Sequence, residues 1–263
     1  PPPPNSPGAA SWWHMPRPDI RAPLPHMVIS VRMPRPPRNS PGPPESGISS
    51  QRRTIKENSC SVASAGDVNQ DGRPDLLIGA FGQNQSGQAY VFSGTDGAYL
   101  FTLKPPQSQS GAGFGWSVAG IGDVTGDGNP ELVVGAYNQD GEGRAYVYSG
   151  SDGTLVYTLA PQTDGAGSAF GWFVHPAGDL NQDGIPDIAV GAPYTTVGQL
   201  SIQGRAYVFS GADGQLLLTL DNPEPKEGST FGWRVVAAGD LNKDGVPDLL
   251  VGASYHDVGP RVD

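Results

Sequence analysis

The chain repeats part of its own sequence, and this repetition restricts its fold more than any other feature. Residues 66–72 (GDVNQDG) recur in closely similar form, at spacings of 56, 56 and 61 residues, at 122–128, 178–184 and 239–245. A second segment, AYVFSG at 89–94, recurs in step with the first. Such a period predicts one structural unit that is stacked several times along the chain.

Each unit is predicted to contain four short strands separated by Asp-Gly and Gly-rich turns. In the second unit these strands are predicted at residues 115–119, 131–136, 144–149 and 155–159. The 38 Gly and 27 Pro of the chain suit many short strands and turns better than helices. A four-stranded sheet cannot bury both of its faces alone, so neighbouring units must stack on it. We therefore predict an all-β protein, a β-propeller of four-stranded blades.

The repeats are assigned to residues 59–263, and the last unit is truncated. The approximate unit limits are 59–104, 105–160, 161–221 and 222–263. These three and a half blades would form an incomplete ring, because closed propellers typically have about four to eight blades. We expect the remaining blades to come from the rest of a longer chain or from another copy.

Residues 1–58 do not match the repeat and contain 15 of the 27 prolines. This composition predicts a disordered, Pro/Arg-rich leader, with a proline-rich ligand at 34–44 as the alternative. The Phe-Gly-Trp triplet that begins the later units aligns with Asn58-Ser59-Cys60 in the first. A further explanation of this abrupt change is that the leader is not native coding sequence. The tryptophan, present once per later unit, is predicted to pack in the core or between blades, with a sugar-stacking site as the alternative.

The charge of the chain is unevenly distributed. Residues 1–58 hold 8 of the 16 Lys and Arg but only 3 of the 26 Asp and Glu, which leaves 8 basic and 23 acidic groups, or −15, on the repeats. This charge disfavours nucleic acid and anionic membranes as partners and favours bound cations. No apolar run is long enough to span a bilayer, so no membrane insertion of this fragment is expected.

The pattern Asp-x-Asn/Thr-x-Asp-Gly-x-Pro-Asp/Glu occurs four times. Calcium binds about six to eight oxygen atoms, and alternate side chains of a tight loop converge on one point. We predict side-chain ligands at positions 1, 3, 5 and 9 of each loop and a main-chain carbonyl ligand at position 7, where the side chains share no chemistry. The predicted ligand residues are Asp67, Asn69, Asp71, Arg73 and Asp75; Asp123, Thr125, Asp127, Asn129 and Glu131; Asp179, Asn181, Asp183, Ile185 and Asp187; and Asp240, Asn242, Asp244, Val246 and Asp248.

These loops differ from an EF-hand, whose last carboxylate stands at position 12 and precedes a helix. Here the last carboxylate stands at position 9 and runs into a strand sequence such as LVVGA at 132–136. The alternative is that Asp, Asn and Gly merely form good turns. Against this alternative, twelve carboxylates in four loops would repel one another without a cation. Among divalent cations, magnesium fits less well than calcium because it requires a tighter octahedral site. We therefore expect up to four Ca²⁺ ions, one per repeat.

The Phe-Gly triplets, the acidic loops and Gly191-Ala192-Pro193 resemble FG-GAP repeats, the units of the integrin α-subunit β-propeller. The resemblance covers about residues 61–263. The units are nearly identical to one another, and in this respect the chain resembles bacterial secreted FG-GAP proteins more than a vertebrate integrin. It implies a seven-bladed propeller with calcium in hairpin loops on one face and an extracellular or cell-surface location. It also implies partner contacts on the opposite face, at loops such as 82–87, 138–143 and 194–203, for which solvated turns are the alternative.

No Ser-His-Asp order, zinc-binding His-Glu-x-x-His motif or phosphate-binding loop occurs in the chain. The leading hypothesis is a calcium-binding, non-catalytic extracellular β-propeller that mediates adhesion or binds a protein or glycan ligand. The alternative is a propeller module of a secreted polysaccharide-degrading enzyme.

Overall fold

The computed structural model describes residues 61–161 and 166–255. These residues form fourteen β-strands and one short 3-10 helix, Gln139–Gly141. The predicted leader, 1–58, and the end of the last repeat, 256–263, lie outside the described residues. The predictions made for those two segments, and for the limits of the units, therefore stay predictions.

The strands form one antiparallel sheet per repeat, with the strands in chain order. Blade 1 contains β1 (Ser61–Gly66), β2 (Asp75–Ala80), β3 (Gln88–Phe92) and β4 (Tyr99–Leu103). Blade 2 contains β5 (Phe114–Gly122), β6 (Glu131–Ala136), β7 (Arg144–Tyr148) and β8 (Leu155–Leu159). Blade 3 contains β9 (Phe173–Gly178), β10 (Asp187–Ala192), β11 (Arg205–Phe209) and β12 (Leu216–Asp221). Blade 4 contains β13 (Phe231–Gly239) and β14 (Asp248–Ala253) among the described residues.

The predicted all-β class and the four-stranded blades are confirmed. The four strands predicted in the second unit all form, although β5 is longer than predicted and extends from Phe114 to Gly122. Its extra length includes two register shifts against β6, where the strand bends. Neither the sequence period nor the turn signals indicate such bulges, which explains why the predicted strand was too short.

The second strand of each complete blade lies between two others and is the most buried. All six residues of β6 (ELVVGA) and of β10 (DIAVGA) are buried. A run of β-branched and small apolar residues suits a strand covered on both faces, because every side chain then leaves water. These strands therefore hold the blades together at the centre of each sheet.

The first strands of successive blades lie next to one another, so that β1, β5, β9 and β13 follow in that order. Apolar side chains from facing sheets form one core between each pair of blades. Between blades 2 and 3, for example, Val133 and Val147 pack with Phe170 and Val190, and all four are fully buried. Stacking on the next blade therefore supplies the burial that a single sheet lacks.

The tryptophans also lie between blades, as predicted. The ring centroids of Trp116 and Trp172 are 4.6 Å apart, and those of Trp172 and Trp233 are 4.9 Å apart. Tyr137 and Tyr194, which follow the second strands, pack against the same rings. A continuous row of aromatic side chains thus crosses from blade to blade.

Candidate metal centre

The four acidic loops connect the first and second strands of the blades. Because the first strands lie side by side, the loops stand next to one another at one end of the stack. Adjacent loops are in contact where Gln70 Nε2 donates a hydrogen bond of 2.9 Å to Asn129 Oδ1. The loops 82–87, 138–143 and 194–203 connect the second and third strands and therefore lie at the other end.

The aspartate at position 1 closes each loop with both of its oxygens. In the first loop, Asp67 Oδ1 accepts the N–H of Asp71 at 3.0 Å, and Asp67 Oδ2 accepts the N–H of Gly72 at 2.8 Å. The same two hydrogen bonds recur in the other three loops. Gly72 has a φ of 86°, a conformation that glycine adopts without strain. The sequence pattern thus produces one loop conformation four times.

The side chains at positions 3 and 5 are in contact in the first, third and fourth loops. Asp71 Oδ1 accepts the N–H of Arg73 at 3.0 Å, and Asn69 Nδ2 donates to Asp71 Oδ2 at 3.2 Å. A hydrogen bond from the side chain of Thr95 lowers the pKa of Asp71. Thr95 belongs to the β3–β4 turn, a contact that the sequence analysis missed because only the folded blade brings this turn to the loop.

The carboxylate at position 9 is buried in the first three blades, and in blades 1 and 3 it connects two turns. Asp75 Oδ2 accepts the N–H groups of Val68 and Asn69, at 3.0 and 3.3 Å, and Asp75 Oδ1 accepts the N–H of Gly94 at 2.9 Å. In blade 3, Asp187 makes the corresponding hydrogen bonds to Leu180 and to Gly211. Gly94 and Gly211 follow the third strands in the repeated Ser-Gly dipeptide. Position 9 therefore has a structural role in addition to any role as a ligand.

This structural role predicts unequal effects of two substitutions in the same loop. Asp75→Ala should destabilise the chain by about 2 to 4 kcal/mol, because it leaves buried N–H groups without acceptors. Asp71→Ala should cost much less, because Asp71 is exposed and water replaces its contacts. Denaturant unfolding in excess EGTA measures both effects without metal. Equal loss of stability in the two variants would show that position 9 has no separate structural role.

The second loop brings three carboxylates together. Oxygen atoms of Asp123, Asp127 and Glu131 all lie within 4.8 Å of one another. Glu131 Oε2 accepts the N–H of Val124 at 2.7 Å, and Glu131 Oε1 accepts the hydroxyl of Thr125 at 3.1 Å. Asp123 and Asp127 are exposed, whereas Glu131 is fully buried. Three of the four predicted side-chain ligands of this loop thus lie around one point. The fourth, Thr125, donates a hydrogen bond to Glu131.

The other three loops do not group three carboxylates so closely among residues 61–161 and 166–255. In each of them the position-3 asparagine donates its Nδ2–H to the position-5 aspartate, at 3.2, 2.8 and 2.9 Å. Their position-9 side chain is an aspartate, one methylene shorter than Glu131. The position-7 carbonyls remain predicted ligands in all four loops.

Burial changes the pKa of two of the position-9 carboxylates, Glu131 and Asp187. Loss of hydration raises the pKa of Glu131, against the opposing effect of hydrogen bonds from Val124 and Thr125, and Asp127 adds to the rise. Burial likewise raises the pKa of Asp187, with hydrogen bonds from Leu180 and Gly211 opposing it. A buried carboxylate in this state gains most from a nearby positive charge.

Two sequence profiles match the repeats. The profile of the FG-GAP-like repeat matches residues 67–134 and 123–190, and that of the FG-GAP repeat matches residues 231–262. Within residues 61–161 and 166–255 there is no helix with the length and apolar character that a bilayer crossing requires.

Curated relatives share these repeats. Integrin alpha-IIb of Mus musculus is 39% identical over 156 residues, which are 53% of this chain and 15% of the relative. Integrin alpha-6 of Gallus gallus is 32% identical over 204 residues, 72% of this chain and 18% of the relative. Phosphatidylinositol-glycan-specific phospholipase D of Rattus norvegicus is 33% identical over 173 residues, 59% of this chain and 20% of the relative. The chain thus spans no more than a fifth of the length of these relatives.

The matched segments together cover more than half of the sequence, and the described strands form the blades that such repeats require. The chain belongs to the FG-GAP repeat family and has an integrin α-like β-propeller fold.

Proposed function

We propose that this chain is a calcium-binding, extracellular β-propeller module that mediates adhesion by binding a protein or glycan ligand, without catalysis. The observation that carries the calcium part is the cluster of Asp123, Asp127 and Glu131 in the second loop. The observation that supports the adhesion part is the integrin similarity of the repeats.

The geometry of the second loop suits calcium. Oxygen atoms around one Ca²⁺ lie about 2.3 to 2.6 Å from it, so any two of them are at most about 5 Å apart. The three carboxylates, with oxygens within 4.8 Å, meet this limit. Carboxylate, hydroxyl and carbonyl oxygens are the donors that a hard cation prefers. When bound, the ion would neutralise carboxylates that otherwise repel one another.

The same ligand positions are proposed for the other three loops, in which the loop conformation is the same. There, the carboxamide of the position-3 asparagine is close to the position-5 carboxylate, for example Asn181 Nδ2 at 2.8 Å from Asp183 Oδ2. A rotation of this carboxamide would present Oδ1 to a cation instead. We therefore expect the second loop to bind calcium most tightly.

Partner contacts are proposed for the opposite end of the blades, at the loops that connect the second and third strands. In blade 2 this loop is held in place, because Gln109 Oε1 accepts the N–H of Asp140 at 2.8 Å and Arg144 pairs with Glu142 at 3.1 Å. An ordered loop at the surface loses little entropy when a partner binds. Extracellular fluid, with its high calcium concentration, is the setting in which weak loop sites of this kind are filled.

The calcium sites are tested by Asp127→Ala, with Asp152→Ala as the matched control. Asp127 belongs to the carboxylate cluster, whereas Asp152 is an exposed aspartate in the β7–β8 turn that caps the N–H of Thr154 at 2.9 Å. Isothermal titration calorimetry with calcium should show one binding site fewer in Asp127→Ala, because two carboxylates cannot replace three. Asp152→Ala should bind as many ions as the unchanged chain. Equal stoichiometry in all three proteins would refute a site in the second loop.

A second candidate function is that of a propeller module of a secreted enzyme. The similarity to phosphatidylinositol-glycan-specific phospholipase D, at 33% identity, favours this class, and a module of a polysaccharide-degrading enzyme belongs to the same class. Assays of hydrolysis of glycosylphosphatidylinositol and polysaccharide substrates, run beside arrays of extracellular proteins and glycans, separate the candidates. Calcium-dependent binding on the arrays without hydrolysis supports the adhesion proposal, and turnover by this chain contradicts it.

A further inference from the structure

A side-chain hydrogen bond joins the first and second acidic loops across two blades. Gln70, at position 4 of the first loop, donates from Nε2 to Oδ1 of Asn129, at position 7 of the second loop, and the two atoms are 2.9 Å apart. The two residues lie 59 positions apart in the chain and belong to different blades. This contact therefore forms only when neighbouring blades stack on each other.

Asn129 connects this contact to a predicted calcium ligand. Its main-chain N–H donates to Asp127 Oδ1 at 2.7 Å, and its side-chain Nδ2 donates to the same oxygen at 3.3 Å. An asparagine carboxamide has one acceptor end and one donor end. Because the acceptor end is directed to Gln70, the donor end is directed to Asp127. Gln70 thus sets the orientation in which Asn129 holds the carboxylate, and the other oxygen, Oδ2, is left to a cation.

The second loop holds its position-5 carboxylate in a different way from the other loops. In the first, third and fourth loops, the carboxamide of the position-3 asparagine donates to this carboxylate. In the second loop position 3 is Thr125, whose hydroxyl donates to Glu131 instead, at 3.1 Å. The position-5 carboxylate, Asp127, is therefore held by the carboxamide at position 7.

The polar pair of positions 4 and 7 occurs at only one of the three junctions between the four loops. Between the second and third loops, position 4 is Gly126, which has no side chain, and position 7 is Ile185. Between the third and fourth loops, position 4 is Gln182, but position 7 is Val246, whose side chain accepts no hydrogen bond. The chain thus contains a second glutamine at position 4 that has no acceptor at position 7 of the next loop.

Packing places the loops alike at the two junctions that carry a glutamine. A Cβ atom on Gly66, directly before the first loop, would lie 2.6 Å from Cγ of Pro130, at position 8 of the second loop. A Cβ atom on Gly178 would lie 2.8 Å from Cγ of Pro247 in the same way. Each glycine therefore lets the proline of the next loop approach closely. The two junctions share this contact and differ in the polar pair.

We propose that Gln70 is a positioning residue of the second calcium site and acts from the preceding blade, through Asn129, on Asp127. This inference rests on the proposed function, in which Asp123, Asp127 and Glu131 bind calcium. A carboxylate that is already held in place loses less freedom when an ion binds, so the site binds the ion more tightly. The second site is therefore complete only when blade 1 is stacked on blade 2.

The test is a calcium titration of the isotope-labelled full chain, followed by NMR, with free calcium set by a chelator buffer. The N–H of Gly128 donates to Asp123 Oδ2 at 2.9 Å, so its resonance reports an ion in the second loop. Gln70→Ala should raise the free calcium at half-saturation of this resonance by about two- to fivefold, the effect of one exposed hydrogen bond. Asn129→Val retains the main-chain N–H and carbonyl and should raise it at least as much.

Gln182→Ala is the matched control for Gln70→Ala. The two glutamines hold the same loop position with nearly the same backbone angle, a φ of 60° for Gln182 and 58° for Gln70. The N–H of Gly245 reports the fourth loop, because it donates to the position-1 aspartate of that loop. Its half-saturation should be the same in Gln182→Ala and in the unchanged chain. The double variant Gln70→Ala/Asn129→Val should match Asn129→Val alone, because Gln70 acts through Asn129.

Several outcomes would contradict this role of Gln70. If Gln70→Ala lowers stability in EGTA but leaves the half-saturation of Gly128 unchanged, the contact is merely structural and the calcium site itself stands. Effects of the two substitutions that add in the double variant would show that Gln70 does not act through Asn129. A change at Gly245 in Gln182→Ala as large as that at Gly128 in Gln70→Ala would indicate a general effect of loop substitution. A Gly128 resonance that does not respond to calcium in the unchanged chain would refute the second calcium site, and this inference with it.

Discussion

Removal of calcium with EGTA is expected to lower the melting temperature of the chain by about 10 °C or more. A ligand that binds only the folded state stabilises it by RT ln(1 + [L]/Kd), which is about 1.4 kcal/mol per site at ten times Kd. Up to four such sites are proposed, and a change of about 1 kcal/mol shifts the melting temperature of a domain of this size by roughly 2 to 4 °C. Differential scanning calorimetry with and without EGTA measures the shift.

Asp127→Ala provides the control for this shift. The variant retains three of the four loops, so its melting temperature should respond less to EGTA, while Asp152→Ala should respond fully. Magnesium at the same concentration should restore little of the stability, because it requires a tighter octahedral arrangement and retains its own water. A melting temperature that does not change with EGTA would mean that the loops hold no stabilising ion.

Gly135→Ala is expected to be strongly destabilising, although it adds only one methyl group. A Cβ atom at residue 135 would lie 2.1 Å from the carbonyl oxygen of Gly171, which belongs to the neighbouring blade. The contact is with backbone, so the two blades must move apart at the centre of their interface. Overpacking of this kind costs about 1 to 3 kcal/mol and more where nothing can yield, and we expect about 3 kcal/mol here.

Gly252→Ala is the matched control for this prediction. Gly252 holds the same place in the second strand of blade 4, yet the nearest atom to its Cβ position, the carbonyl oxygen of Arg234, is 3.8 Å away. The substitution should change stability by about 0.5 kcal/mol or less. Both variants are compared by denaturant unfolding at the same protein concentration. If Gly135→Ala is as stable as Gly252→Ala, the blades do not pack as closely as the structure shows.

The strands and the acidic loops could be predicted from the sequence because both depend on local pattern. LVVGA at 132–136 follows its proline and its last loop carboxylate directly, so the start of β6 was predicted at the correct residue. The loop conformation could be anticipated because its hydrogen bonds are local. The side chain of Asp123, for example, accepts the N–H of Gly128, which is five residues later in the same loop. Patterns with a short range along the chain are read well from one sequence.

The contacts between distant parts of a blade could not be predicted in this way. Nothing in the pattern shows that Asp75 accepts the N–H of Gly94, nineteen residues away, because the hairpin must form before the two meet. The closer grouping of carboxylates in the second loop depends on the longer side chain of Glu131 and on Thr125, which bonds to it. The sequence shows that Thr125 and Glu131 stand where the other loops have Asn and Asp. It does not show how these two side chains change the positions of the carboxylates. Packing decides such details, and packing is not local.

The most direct test of calcium binding is a crystal structure of the chain grown with calcium, with anomalous differences measured at a wavelength at which calcium scatters. A peak is expected between the carboxylates of Asp123, Asp127 and Glu131, with weaker or equal peaks in the loops that begin at Asp67, Asp179 and Asp240. Well-ordered loops without any peak at saturating calcium would contradict the proposed metal centre.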